Sequence, residues 1–124
     1  MKIHYSAVVL DKASQDKLLS FVGVPSGWKA FAHHMTIIYG QGLPESIKAD
    51  LGKNVELRVT HIGKSDKAIA VKVEGYFSKN FIPHVTVAVN VNEGGKPVDS
   101  NRIEDWAYVG DTLTLYGLVE EVGY

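Results

Sequence analysis

A short motif, a histidine and a threonine two residues apart, occurs twice in this chain, as His-Met-Thr at 34–36 and as His-Val-Thr at 84–86. Each copy lies in a run of apolar, β-branched and aromatic residues that predicts a strand. Because successive side chains of a strand alternate between its faces, the histidine and threonine of each copy share one face. The sequence therefore predicts two imidazoles and two hydroxyls presented in matching pairs.

These groups are the ones that cleavage of a phosphodiester needs. Near neutral pH, a neutral histidine accepts a proton and a charged histidine donates one. His34 and His84 could thus supply a base for the attacking oxygen and an acid for the leaving oxygen, each worth roughly 100- to 10,000-fold in rate. Thr36 and Thr86 could donate hydrogen bonds to the non-bridging phosphate oxygens. One His-x-Thr alone carries little weight, whereas two copies in two apolar strands favour a functional site.

Composition bounds the other possibilities. The 124 residues predict one domain, 1–124, and the net charge of −1 disfavours a basic surface that tracks long duplex nucleic acid. Cysteine is absent, and neither a metal-binding motif nor a glycine-rich cofactor loop is found, so no metal and no cofactor are expected. The segment 1–10 is too short and polar for a signal peptide or a membrane span, which predicts a cytoplasmic protein without a membrane partner.

The hydrophobic pattern predicts an α+β fold. Its elements follow the order β-α-β-α-β and then β-β-loop-β, with one motif strand in each of two pseudo-duplicated halves, about 1–63 and 64–124. Besides the motif strands, strands are expected at 3–10, 55–62, 68–73 and 112–122, helices at 12–22 and 44–51, and a short helical turn at 101–106. We expect a curved, mostly antiparallel sheet with two helices on its outer face.

The two motifs, each followed by hydrophobic strand residues, resemble the signature of the two-histidine (2H) phosphoesterase superfamily. Members include RNA 2′,3′-cyclic phosphodiesterases of the LigT-like type and phage proteins that cleave cyclic oligonucleotide defence signals. The order of elements is similar over nearly the whole chain. The short chain, and its loop Gly-Gly-Lys-Pro-Val-Asp-Ser-Asn at 94–101, look more like small phage or bacterial members than like the larger enzymes.

The resemblance implies a bilobal fold with a central groove whose floor carries both motifs. It implies that His34 and His84 are the acid–base pair and that Thr36 and Thr86 hold the phosphate. The implied activity is metal-independent hydrolysis of a small nucleotide. Two substrates stay open: an RNA end with a 2′,3′-cyclic phosphate, and a short or cyclic oligonucleotide such as a defence signal that a phage enzyme would degrade.

Other residues are weaker candidates for the site. Substrate contacts are predicted for aromatic residues that could stack on a base and for lysines in flanking loops: Tyr5, Trp28, Phe77, Tyr124, Lys79 and Lys96. His33 should point to the face opposite His34 and is predicted to be structural. His4 and His61 are predicted to be structural or surface residues.

Two alternative readings compete with the enzyme. The same groove could bind and sequester a nucleotide or signalling molecule without cleaving it, although binding alone does not require two proton carriers. Alternatively, both motifs could be coincidental features of a structural domain, in which case their histidines would face the hydrophobic core.

Overall fold

The computed structural model describes residues 2–123, without the side chains of residues 111 and 112. One α-helix, α1 (Lys12–Val22), follows the first strand. The strands are β1 (Ile3–Leu10), β2 (Lys29–Ala30), β3 (His34–Tyr39), β4 (Asn54–Lys64), β5 (Ala68–Glu74), β6 (His84–Val89) and β7 (Trp106–Gly123). Short 3₁₀ segments occur at Glu45–Asp50, Val91–Glu93 and Pro97–Arg102.

Within residues 2–123 the strands form one antiparallel sheet that closes on itself. The order is β2-β6-β3-β1-β7-β4-β5, and β5 also pairs with β6, so six strands form a closed barrel. Closure leaves these six strands without the unpaired edge that an open sheet would expose. It also brings the two motif strands together, since β3 and β6 are neighbours paired at Met35 and Val85.

A single main hydrophobic cluster fills the inside of the barrel. It contains fully buried side chains from most strands, among them Val8, Met35, Leu57, Val71 and Val85, none of which exposes any surface. Because side chains alternate along a strand, the residues on either side of Met35 and Val85 face away from this core. The motif histidines and threonines therefore lie on the outer wall of the barrel.

The helix α1 begins where the sequence predicts it. The Asp11 side chain accepts a hydrogen bond from the Ser14 N–H at 2.7 Å, and the chain leaves the helix at Gly23 with a φ of 77°. Leu18 is fully buried in the main cluster, and Ser14 accepts a hydrogen bond from the Tyr116 N–H of β7 at 2.8 Å. None of the helices in residues 2–123 has the length and apolar character needed to cross a membrane.

The mixed fold with a mostly antiparallel sheet is confirmed. The expected helix at 44–51 is a 3₁₀ segment over Glu45–Asp50, so α1 is the one α-helix among the described residues. The helical turn expected at 101–106 lies earlier, at Pro97–Arg102, where a proline occupies the first helical position. The last strand begins earlier than expected, at Trp106.

Candidate functional site

A cavity of about 590 Å³ lies over the two motif strands. All four motif side chains, those of His34, Thr36, His84 and Thr86, contribute to its lining. The remaining walls come from β1, the segment before β3, the end of β3, the loop before β6 and the 3₁₀ segment Pro97–Arg102: His4, Tyr5, Phe31, His33, Tyr39, Asn80, Pro97, Val98 and Asn101. The histidines thus face a cavity on the side opposite the core, which argues against the reading as a structural domain with coincidental motifs.

The pairing of Met35 with Val85 sets how the two motifs meet. In an antiparallel register centred on this pair, His34 lies level with Thr86 and Thr36 lies level with His84. Each histidine is therefore next to the threonine of the other motif. A phosphate placed between the strands would have one imidazole and one hydroxyl on each side.

His34 is held between two aromatic rings. The Tyr5 ring stacks on it with 4.7 Å between centroids and 25° between planes, and the His33 ring meets it edge-on at 5.1 Å and 83°. The Nδ1 atoms of His33 and His34 are 2.9 Å apart, within hydrogen-bond distance. Burial, with smaller contributions from the nearby His33 and His84, lowers the pKa of His34 from 6.5 to about 4. His34 is therefore neutral at pH 7, as a base must be before it acts.

His84 has a different partner. Its Nδ1 lies 2.8 Å from the carbonyl oxygen of Ile82, and because a carbonyl only accepts, Nδ1 carries the hydrogen. Nε2 is then the atom that can accept or donate a proton at the substrate. Burial lowers the pKa of His84, while the bond to Ile82 acts in the opposite direction by favouring the charged ring.

The hydroxyl of Thr86 is held from outside the strand. Thr86 Oγ1 and Ser100 Oγ share a hydrogen bond of 2.8 Å, and Ser100 is 2% exposed. Ser100 belongs to the 3₁₀ segment Pro97–Arg102, whose start is fixed by the Lys96 N–H donating to Asp99 at 2.9 Å. This backbone hydrogen bond is the main cause that lowers the pKa of Asp99, so its carboxylate stays charged and keeps the segment in place.

The loop before β6 forms another wall of the cavity. Two hydrogen bonds join this loop to β3: Ser78 Oγ donates to the Thr36 carbonyl and the Lys79 N–H donates to the Ile37 carbonyl, each at 2.8 Å. These bonds hold the loop against the motif strand. Asn80, the next residue, lines the cavity as a result.

In the described lining, only the histidines can carry a formal charge near neutral pH, by taking up a proton. Among the described residues that line the cavity, none is an aspartate, glutamate, lysine or arginine. In the same part of the chain, no three histidine or carboxylate side chains are arranged to hold a metal ion. An anionic group in this cavity would thus meet imidazoles, hydroxyls and two asparagine amides.

The structure places some of the weaker candidates for substrate contact in the cavity lining and others outside it. Tyr5, one of the predicted substrate contacts, lines the cavity. Trp28 does not line it and packs against the main hydrophobic cluster, while Phe77, Lys79 and Lys96 are exposed and also lie outside the described lining. Tyr124 lies outside the described residues.

The predicted orientation of His33 needs correction. The strict alternation that put His33 on the far face does not hold, because β3 begins only at His34 and Ala32 has a φ of 53°. Between the pairs Ala30–Ala88 and Met35–Val85 this strand has two more residues than β6, so the chain bulges and His33 turns toward the cavity. His4 also lines the cavity, with its ring edge-on to Tyr39 at 5.4 Å.

Several lining residues escaped sequence reasoning. Phe31 carried a signal, since it immediately precedes the first motif. Asn80 and Asn101 carried none, because contacts between distant parts of the chain bring them to the cavity. The same holds for Ser100, which does not line the cavity but bonds to Thr86. The chain matches no model of a known protein family and shows no significant match to a curated protein.

Proposed function

We propose that this protein is a metal-independent phosphodiesterase of the two-histidine type that cleaves a small nucleotide substrate. The observation that carries the proposal is the convergence of His34, Thr36, His84 and Thr86 on one cavity. Their cross-strand arrangement presents two proton carriers and two hydroxyl donors to one phosphate. In this proposal, the cavity over the two motif strands takes the part of the central groove that the resemblance implies, although the strands form one closed barrel and not two separate lobes.

His34 fits the role of base and His84 that of acid. With its pKa near 4, His34 is neutral and ready to take a proton from an attacking water or 2′-hydroxyl. Burial lowers the pKa of His84, but its Nδ1–H donates to Ile82, and this bond partly offsets the effect of burial by stabilising the imidazolium. Since no lysine or arginine lines the described cavity, a bound phosphate anion favours protonation of the histidines beside it.

In the proposed step, one bond to phosphorus forms as another breaks, and each proton that is released is taken up by a named group. As the nucleophile's oxygen forms its bond to phosphorus, its proton passes to Nε2 of His34. The bond from phosphorus to the leaving ribose oxygen breaks, and that oxygen takes the proton from Nε2 of His84. Thr36 and Thr86 donate hydrogen bonds to the two non-bridging oxygens as negative charge grows on them.

The lining favours a small substrate. A polyanion would bring several phosphates to walls without a basic side chain, whereas one phosphate satisfies the four motif groups. Tyr5, Phe31 and Tyr39 offer faces on which a base could stack, a contact worth about 1–3 kcal/mol per base. An RNA end with a 2′,3′-cyclic phosphate and a short or cyclic oligonucleotide both meet this description.

A substrate panel tests the function. Wild-type protein, H34A, H84A and the double variant are incubated with 2′,3′-cyclic nucleotides, cyclic di- and trinucleotides and short RNAs. H61A is the matched control, because His61 bonds to Thr60 and does not line the cavity. We expect cleavage that chelators do not inhibit, a loss of roughly 100-fold or more in each motif variant, and wild-type activity in H61A.

Two outcomes would count against the proposal. Full turnover by the double variant would show that the histidines are not the acid and base. A ligand that stays bound and intact after long incubation, read by mass spectrometry, would favour the sequestering module instead. Circular dichroism of each variant establishes that a lost activity is not a lost fold.

A further inference from the structure

The adjacent histidines 33 and 34 form a hydrogen-bonded dyad through their Nδ1 atoms, 2.9 Å apart. Such a bond holds one proton between the two nitrogens, so one ring donates while the other accepts. The two rings differ in their surroundings. His34 is partly buried beneath Tyr5, whereas His33 is exposed.

Backbone geometry makes this contact possible. Neighbouring residues in a regular strand point to opposite faces, and their rings do not meet. Here Ala32, fully buried, adopts a φ of 53°, a conformation uncommon for a residue with a Cβ. Its N–H donates to the Thr86 carbonyl at 2.9 Å, and Leu10 of β1 donates to the His33 carbonyl at 2.9 Å. Hydrogen bonds to the strands on both sides thus hold the chain at the point where His33 turns toward the cavity.

We propose that His33 is a positioning residue that relays protons between the buried His34 and solvent. This inference rests on the proposed function, in which His34 is the base. A buried imidazolium is costly because it loses hydration, whereas the exposed His33 can hold the same charge in contact with water.

The relay balances without any added reactant. Before reaction, His34 donates its Nδ1–H to Nδ1 of His33 and presents a bare Nε2 to the nucleophile. When Nε2 takes the nucleophile's proton, the Nδ1 proton crosses to His33, which becomes the imidazolium. His33 then releases its Nε2 proton to water. His34 is left neutral with hydrogen on Nε2. To restore the starting tautomers, His34 gives this Nε2 proton to water, His33 returns its Nδ1 proton to Nδ1 of His34, and His33 takes a proton from water at Nε2.

Other titratable groups face the dyad from each neighbouring element. Tyr5 on β1 stacks on His34, with Glu120 of β7 acting on Tyr5 through its charge. His84 on β6, and His4 and Tyr39 further along the wall, complete the set in the described cavity. His33 is distinguished from them by its direct hydrogen bond to His34.

Kinetics give the first test. H33N keeps a polar group near the position of Nδ1 but cannot carry the proton onward, and H33A removes the contact; H61A is the control. We expect kcat to fall about tenfold or more in both His33 variants. We also expect the rate of H33A, unlike that of wild type, to rise with the concentration of imidazole buffer. Wild-type kcat and no buffer dependence in H33A would overturn the relay.

Ring ¹⁵N NMR gives a second test that needs no activity. In wild-type protein, the ¹⁵N shifts of His34 should change as His33 titrates, because the tautomer of one ring depends on the other. In H33N that coupled change should vanish. Independent titration of the two rings in wild type would overturn the dyad even in an active enzyme. A coupled titration without cleavage of any panel substrate would overturn the proposed function and leave the dyad supported.

Discussion

Met35 of β3 and Val85 of β6 face each other across the strands that carry the two motifs, and both are fully buried. This one pair joins the hydrophobic core to the candidate site. On its inner side the two side chains pack into the barrel, and on its outer side the same register sets His34 level with Thr86. Packing inside the barrel therefore controls the spacing of the groups outside it.

We expect M35A to lower both stability and activity. Removing a buried methionine side chain costs about 2–5 kcal/mol, because apolar contacts are lost and a cavity remains. Urea unfolding measures this loss. The volume-conserving M35L should cost less than about 1.5 kcal/mol and keep its activity. Equal stabilities of M35A and M35L would contradict the importance of this pair.

The hydrogen bond between Ser100 and Thr86 predicts a defect in activity. In S100A the Thr86 hydroxyl loses its partner and is free to rotate away from the proposed position of the phosphate. A hydrogen bond contributes about 1 kcal/mol, so kcat/KM should fall roughly fivefold. Steady-state kinetics check this, with S20A on the exposed part of α1 as control. If T86A lowers kcat/KM and S100A does not, Ser100 has no positioning role.

The depressed pKa of His34 predicts that stability falls as the medium is acidified. The unfolded chain takes up a proton near pH 6.5, whereas the folded protein resists it until about pH 4. Between these values the unfolded state binds more protons, so the free energy of unfolding decreases as pH is lowered. About 2 kcal/mol should be lost between pH 7 and pH 5, and burial of His84 adds to the loss in the same direction.

Unfolding by urea at pH 7, 6 and 5 measures this slope. H34N removes the titrating ring and should show a smaller slope. The carboxylates Asp99 and Glu121 do not interfere, because their lowered pKa values place their loss of stabilisation below this range. Identical slopes for wild type and H34N would rule out His34 as the source.

Local patterns in the sequence predicted much of this structure. Alternating apolar residues indicated the main strands, and Asp11 with Gly23 marked both ends of α1. The two His-x-Thr motifs indicated four residues that share one cavity. These features depend on neighbouring residues, which is why a single sequence contains enough information for them.

Local sequence patterns did not predict the contacts between distant parts of the chain. Barrel closure requires β5 to pair with β6, and no local pattern distinguishes a closed sheet from an open one. The turn of His33 toward the cavity depends on the positive φ of Ala32, a residue type that gives no warning of it. Ser100 reaches Thr86 only because the 3₁₀ segment at 97–102 folds back on β6.

The stacking of Tyr5 on His34 predicts a shift in the pH dependence of activity. In Y5A water reaches the imidazole, and the pKa of His34 should rise from about 4 toward 6.5. Because His34 must be neutral to act as the proposed base, the acidic limb of kcat/KM should move to higher pH. Y5F keeps the stacked ring and should keep the wild-type limb. The limb reports the coupled histidines together, so profiles are compared between variants. An unchanged acidic limb in Y5A would mean that Tyr5 does not control the protonation of His34.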